Sequence, residues 1–140
     1  MRGLSIAGLA LGLALAACSA APDLKGADQA VAVFHQRLDH ADYQDIYRQA
    51  TPQFQHSGTV AGLSAFLSAI HTKLGAVRST QRQGYFVGVS TDGSYANVTY
   101  QTLFERGAGR ETFSYRFIDS RAVMNGYHFD PAPPVVRIRS

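Results

Sequence analysis

The chain is short of cysteine, of tryptophan and of any charge imbalance, and each shortage excludes something. A single cysteine, Cys18, stands among 140 residues, so no disulfide closes within the chain. Thirteen basic residues face ten acidic ones, and one of the basic residues, Arg2, lies in the first few positions. The remaining surplus of two does not make a nucleic-acid surface. Arg106, Arg110, Arg116 and Arg121 are interrupted by Glu105, Glu111 and Asp119. That spacing reads as mixed surface charge, not a phosphate-binding stripe, so no nucleic-acid partner is expected. The sequence has no Gly-x-Ser-x-Gly elbow, no His-Glu-x-x-His run, no calcium-loop pattern and no phosphate loop. No cofactor is expected. There is no internal repeat and no sign of a second domain.

What is present begins with a leader. Residues 1–17 have the three parts of an export signal: Arg2 and the amino terminus, an apolar stretch from Leu4 to Leu15, and the small residues Ala16 and Ala17. No charge falls between Gly3 and Pro22, so length alone leaves a membrane span open. Against a span stand the Gly- and Ala-rich composition and the run Ser19-Ala20-Ala21-Pro22, which brings no basic stop.

Leu15-Ala16-Ala17-Cys18 resembles the lipobox of bacterial lipoproteins: a leucine, two small residues, then the cysteine. The resemblance covers these four residues and the leader before them. It implies cleavage before Cys18, a thioether-linked diacylglycerol on that cysteine and a membrane as partner. Each buried methylene contributes about 0.8 kcal/mol, so two or three acyl chains hold where one would not. Ser19 follows the cysteine in place of the aspartate that retains some lipoproteins at the inner membrane. In a Gram-negative host this implies the periplasmic face of the outer membrane. Residues 18–26 then read as the lipidated cysteine and a short tether with Pro22 and Gly26.

Residues 27–130 read as a single domain, and its periodicity divides it in two. Ala27, Ala30, Val31, Phe34 and Leu38 recur at helical spacing over 27–38, with Asp28 placed to favour the helix dipole. A second short helix is expected over 41–49. Thr51-Pro52 reads as an N-cap followed by proline at the first helical position, opening one turn that carries Phe54. Leu63, Phe66, Leu67, Ile70 and Leu74 mark a helix over 60–74, capped by Thr59 and closed by Gly75 in a left-handed conformation.

Beyond Gly75 the period falls to two. Strands are expected near 79–90, 95–106, 111–119 and 122–129, joined by turns at Asp92-Gly93, Gly107-Ala108-Gly109 and Asp119-Ser120. Residues 131–140, with three prolines, read as an arm, with a short edge strand as the alternative. Helices followed by a four-strand meander make an α+β fold, its N-terminal helices packed on a four-stranded antiparallel curved sheet.

This element order resembles the nuclear transport factor 2-like, cone-shaped superfamily. Three pieces, Asp42-Tyr43-Gln44-Asp45-Ile46-Tyr47, Phe66-Leu67 through Lys73-Leu74-Gly75, and Gly126-Tyr127, also resemble small uncharacterised exported proteins of bacteria. The resemblance implies a curved sheet closed into a cone by helices. It selects no function, because the superfamily holds enzymes, binding modules and structural pieces.

The residues that might carry chemistry mostly have an ordinary explanation. His35 and His40 are five apart, not the four that a helical metal site needs, and no metal site is expected. Asp39, Asp42 and Asp45 read as helix-start carboxylates, with a shared cation face as the alternative. Val98, Tyr100, Thr102 and Phe104, and then Phe113, Tyr115 and Phe117, alternate onto the inward face of the sheet. Tyr127 and Phe129 join them, and His128 faces solvent. Tyr100, Phe104, Tyr115, Phe117 and Tyr127 are the candidate pocket lining, with Tyr85 a further phenol that could reach it. No catalytic acid or base is expected inside the cone. The reading is a non-enzymatic envelope lipoprotein that binds a partner protein or a small apolar ligand, or plays a structural part. The alternative is a small-pocket isomerase or dehydratase, which needs a buried carboxylate or histidine.

Overall fold

The computed structural model describes residues 24–133. The leader, Cys18 and most of the tether lie outside the described residues, as do positions 134–140 of the expected arm. Four helices precede four strands: α1 (Leu24–Asp39), α2 (Tyr43–Arg48), α3 (Pro52–His56), α4 (Val60–Leu74), β1 (Val77–Ser90), β2 (Gly93–Phe104), β3 (Gly107–Ile118) and β4 (Arg121–Pro131). The strands form one open antiparallel sheet in sequence order. The α+β reading holds at this level. Among the described residues no helix is long and apolar enough to cross a membrane.

The helices form where the apolar spacing put them, and their ends follow from local chemistry. The Thr51 hydroxyl accepts the Phe54 amide at 3.2 Å with Pro52 in the first turn of α3, and the Thr59 hydroxyl accepts the Gly62 amide at 3.0 Å at the start of α4. Gly75 ends α4 at φ +80° and ψ −162°. Its φ is positive as expected, but ψ is extended, which places it in a region that glycine alone occupies readily. Asp28 lies a full turn inside α1 and not at its start. Its carboxylate takes two hydrogen bonds from Arg82 Nη1 (2.7 and 2.8 Å) and one from the Tyr100 hydroxyl, so it ties α1 to β1 and β2.

The helices cover one face of the sheet. Ala27, Val31, Phe34 and Leu38 of α1, Ile46 of α2, and Leu67, Ile70 and Leu74 of α4 meet Val98, Tyr100, Phe104, Phe113, Tyr115 and Met124 in one continuous core. Burying such side chains stabilises the fold by about 1.5–3 kcal/mol each, before the entropy of ordering the chain is set against it. Phe113 is the centre of the aromatic cluster, with Phe34 at 5.0 Å, Tyr127 at 5.1 Å and Tyr115 stacked at 6.0 Å. The opposite face carries Thr99, Gln101, Thr112, Ser114 and His128. His128 is exposed and pairs with Asp130 at 3.0 Å, as its position in the alternation implies.

Three further readings change along the strands. The turn between β2 and β3 is Glu105-Arg106, and Gly107-Ala108-Gly109 lies within β3. A Cβ at Gly109 would meet the Phe129 ring at 2.3 Å, so this glycine admits a cross-strand aromatic and does not make a turn. Phe117 lies on the inward side, opposite Ala122, but only half-buried and outside the core cluster. Residues 131 and 132 stay with the sheet, because Pro131 ends β4 opposite Gly109 and the Ala132 amide bonds to the Ala108 carbonyl at 2.9 Å.

Candidate functional site

Two features inside the helix-covered face are candidates: a buried polar network and a cavity beside it. The network centres on Glu111, which is 0% exposed. Alternation along β3 carries it inward with Phe113 and Tyr115. The reading of Glu111 as surface charge is thus overturned, and with it the expectation that the inward strand positions carry no acid. His35 comes from α1, one residue after Phe34 on the face that also holds Val31 and Leu38. His35 Nε2 lies 2.6 Å from Glu111 Oε2. The Thr102 hydroxyl donates to the same oxygen, and the Tyr127 hydroxyl donates to Oε1 at 2.6 Å.

The electrostatics of this cluster follow from competing effects. Burial pushes the Glu111 carboxyl up, but the hydrogen bond and charge of His35, with the Thr102 and Tyr127 donors, bring it below the ordinary carboxylate value. An ionised carboxylate only accepts, so with Glu111 ionised the short contact is one in which His35 Nε2 donates. Burial, and then the neighbouring Glu111, raise the Tyr127 phenol above its ordinary value. Burial raises Tyr115 and Tyr100 in the same direction, with the Asp28 contact adding to the shift at Tyr100. Among the described residues no buried side-chain polar atom lacks a partner. The network is therefore complete within the protein, and this completeness offsets the cost of burying a charge.

The cavity lies next to this network and is separate from it. It measures about 200 Å3 and opens to solvent. Ala30, Val33 and Phe34 of α1 form one side and Ile46 of α2 another, with Tyr115, Ala122 and Met124 contributed by the sheet. Arg37 and Gln49 supply its polar edge, where Arg37 Nη2 donates to Gln49 Oε1 at 2.7 Å. A hydrogen bond from the Thr51 amide to the Met124 carbonyl (2.9 Å) and one from the Thr51 hydroxyl to Asn125 Oδ1 (2.6 Å) fix the sheet side of the cavity. Asn125 is the unpaired residue where the register of β3 and β4 shifts, a bulge that re-aims its neighbours.

Neither His35 nor Glu111 lines this cavity. Of the five aromatics read as pocket lining, Tyr115 does line it. Tyr100, Phe104 and Tyr127 fill the core, and Phe117 does neither. Tyr85 is 59% exposed at the sheet edge. The three aspartates do not share a helix face: Asp39 ends α1 and accepts the Val77 amide at 3.2 Å, Asp42 precedes α2, and Asp45 pairs with Arg48. Among the described residues, no group of three or more His, Cys, Asp and Glu side chains is placed to hold a metal ion.

No family model matches the chain, and no curated relative does. Solved structures resemble it at low identity. A DUF4783 family protein from Bacteroides uniformis is 12% identical, with 71% of this chain and 94% of that one covered and a TM-score of 0.46. Aln2 from a Streptomyces species is 14% identical, with 77% and 89% covered and a TM-score of 0.48.

Residue reasoning missed Glu111, His35 and Arg37 as a set. The signal for the first was available, because a strand that turns Phe113 and Tyr115 inward turns Glu111 inward as well. His35 falls on the Val31-Phe34-Leu38 stripe. Arg37 had no local signal, since its significance comes from α2 closing over the end of α1.

Proposed function

We propose that this chain is a membrane-anchored envelope lipoprotein whose single domain, a nuclear transport factor 2-like cone, is a binding module for a small apolar ligand. The lipobox reading of Cys18 supplies the anchor, and Ser19 supports the outer membrane in a Gram-negative host. The observation that carries the binding reading is the apolar cavity between α1, α2 and the β3–β4 pair, set beside the continuous core. Such a cavity loses dispersion contacts while empty and regains them when an apolar body enters.

A second reading, an isomerase or dehydratase, draws on the Glu111–His35 pair at 2.6 Å. Its weakness is access: Phe34 and the Phe113–Tyr115 stack lie around the pair, and both oxygens of Glu111 already hold protein donors.

One titration separates the two readings. The chain has two methionines, Met1 and Met124, and Met124 lines the cavity. The intact chain, labelled at the methionine methyl groups and the histidine rings and held in lipid nanodiscs, is titrated with 1-hexanol. The binding reading predicts a saturable shift of the Met124 methyl signal with the His35 ring unmoved. A His35 ring signal that shifts in parallel favours the enzyme reading, and no saturable shift at Met124 contradicts the binding reading.

A further inference from the structure

The reading of the cavity as a binding site leaves its polar edge unexplained, and that edge identifies a ligand class. Ala30, Val33, Phe34 and Arg37 recur at i, i+3, i+4 and i+7, so the apolar wall and the guanidinium belong to one face of α1. Arg37 is half-buried, in the last turn of the helix. Gln49, at the end of α2, receives one of its N–H groups and so fixes where the guanidinium sits. A guanidinium carries five N–H donors in a rigid fork, and this contact engages one.

Five other arginines have a carboxylate partner: Arg48 with Asp45, Arg78 and Arg106 with Glu105, Arg82 with Asp28, and Arg110 with Asp130. Among the described residues Arg37 has only the neutral Gln49, and no acidic side chain lines the cavity. A cation at the edge of an apolar cavity is incompletely solvated, and an anion that brings its own apolar body restores what burial removed.

Charge and size limit the ligand further. One guanidinium balances a monoanion, whereas a phosphate monoester carries about −1.5 to −2 at neutral pH and no second cation lines the cavity. A cavity of about 200 Å3 restricts the apolar body to a short chain. We propose that the cavity takes a small monocarboxylate, with its hydrocarbon against Phe34, Ile46, Tyr115 and Met124 and its carboxylate on Arg37.

The proposal rests on the cavity being a binding site, and its test separates the failure of one from the failure of the other. The methionine-methyl-labelled intact chain in nanodiscs is titrated at neutral pH with sodium hexanoate and with 1-hexanol. The same titrations are made on Arg37→Gln, which removes the charge, and on Gln49→Glu, which neutralises Arg37 in place. Hexanoate is expected to shift the Met124 methyl saturably. Both variants should weaken hexanoate by about tenfold or more, the size of one charge-assisted hydrogen bond. Hexanol should lose much less than hexanoate in both, and an equal loss of the two compounds would overturn the carboxylate assignment. If hexanoate binds both variants as it binds the parent chain, the carboxylate assignment is overturned and the apolar cavity stands. If neither compound shifts Met124 in the parent chain, the cavity reading fails and the assignment fails with it.

Discussion

Glu111 is the residue on which the interior depends most. A carboxylate taken out of water at the middle of a sheet is tolerated because His35, Thr102 and Tyr127 all donate to it. Removing it leaves three buried donors without an acceptor. Glu111→Leu should therefore cost about 3–5 kcal/mol, measured by chemical denaturation, even though leucine suits an apolar core. A loss below about 1 kcal/mol would show that these donors find other partners. The residue was half legible in the sequence. Its place in the alternation with Phe113 and Tyr115 marks it as inward, while its charge and the adjacent Arg110 mark it as surface. Position decides, because a strand cannot turn one side chain outward without breaking its period. The partner that makes burial tolerable, His35, is 76 residues away and no local pattern connects the two.

At the level of elements, α4 and the glycine that ends it make the helix layer testable. Leu67 is fully buried between the helices and the sheet, so Leu67→Ala should cost about 2–5 kcal/mol. At Gly75 a Cβ would meet Glu105 Oε2 at 2.5 Å, at a φ of +80° that side chains rarely adopt. Gly75→Val should lose about 1–3 kcal/mol from backbone strain alone. Thermal melts that barely move for both variants would show that α4 is misplaced. The helices were legible because their apolar stripes and the caps at Thr51 and Thr59 are local signals. The strands were legible as to number and face, but less so at their ends. Gly107-Ala108-Gly109 has the composition of a turn, yet the space it leaves is filled by Phe129 from the next strand and by Leu74 from α4. The cavity was not legible, apart from Tyr115, because its walls come from α1, α2 and two strands brought together only by the fold.

At the level of the whole molecule, buried titrating groups set limits on stability at both ends of the pH scale. The Glu111 carboxyl lies below its unfolded value, so its contribution is present above about pH 4 and is lost as the pH falls through the folded value. The Tyr100, Tyr115 and Tyr127 phenols lie above theirs, so their contribution is present below about pH 10 and is lost as the pH rises beyond it. Alkaline titration followed by phenolate absorbance and circular dichroism should show part of the tyrosine ionisation coinciding with unfolding. All seven tyrosines ionising with the secondary structure intact would contradict this. A domain built in this way, with a filled core and a small open cavity, acts at a membrane only if it is fixed there. The anchor is therefore the central claim. It is tested most directly by growing cells that express the chain with an alkyne analogue of palmitate and following the label on the protein. The parent chain should take up the label and the Cys18→Ser chain should not. A parent chain that takes up no label, or a Cys18→Ser chain labelled as strongly as the parent, would contradict the account.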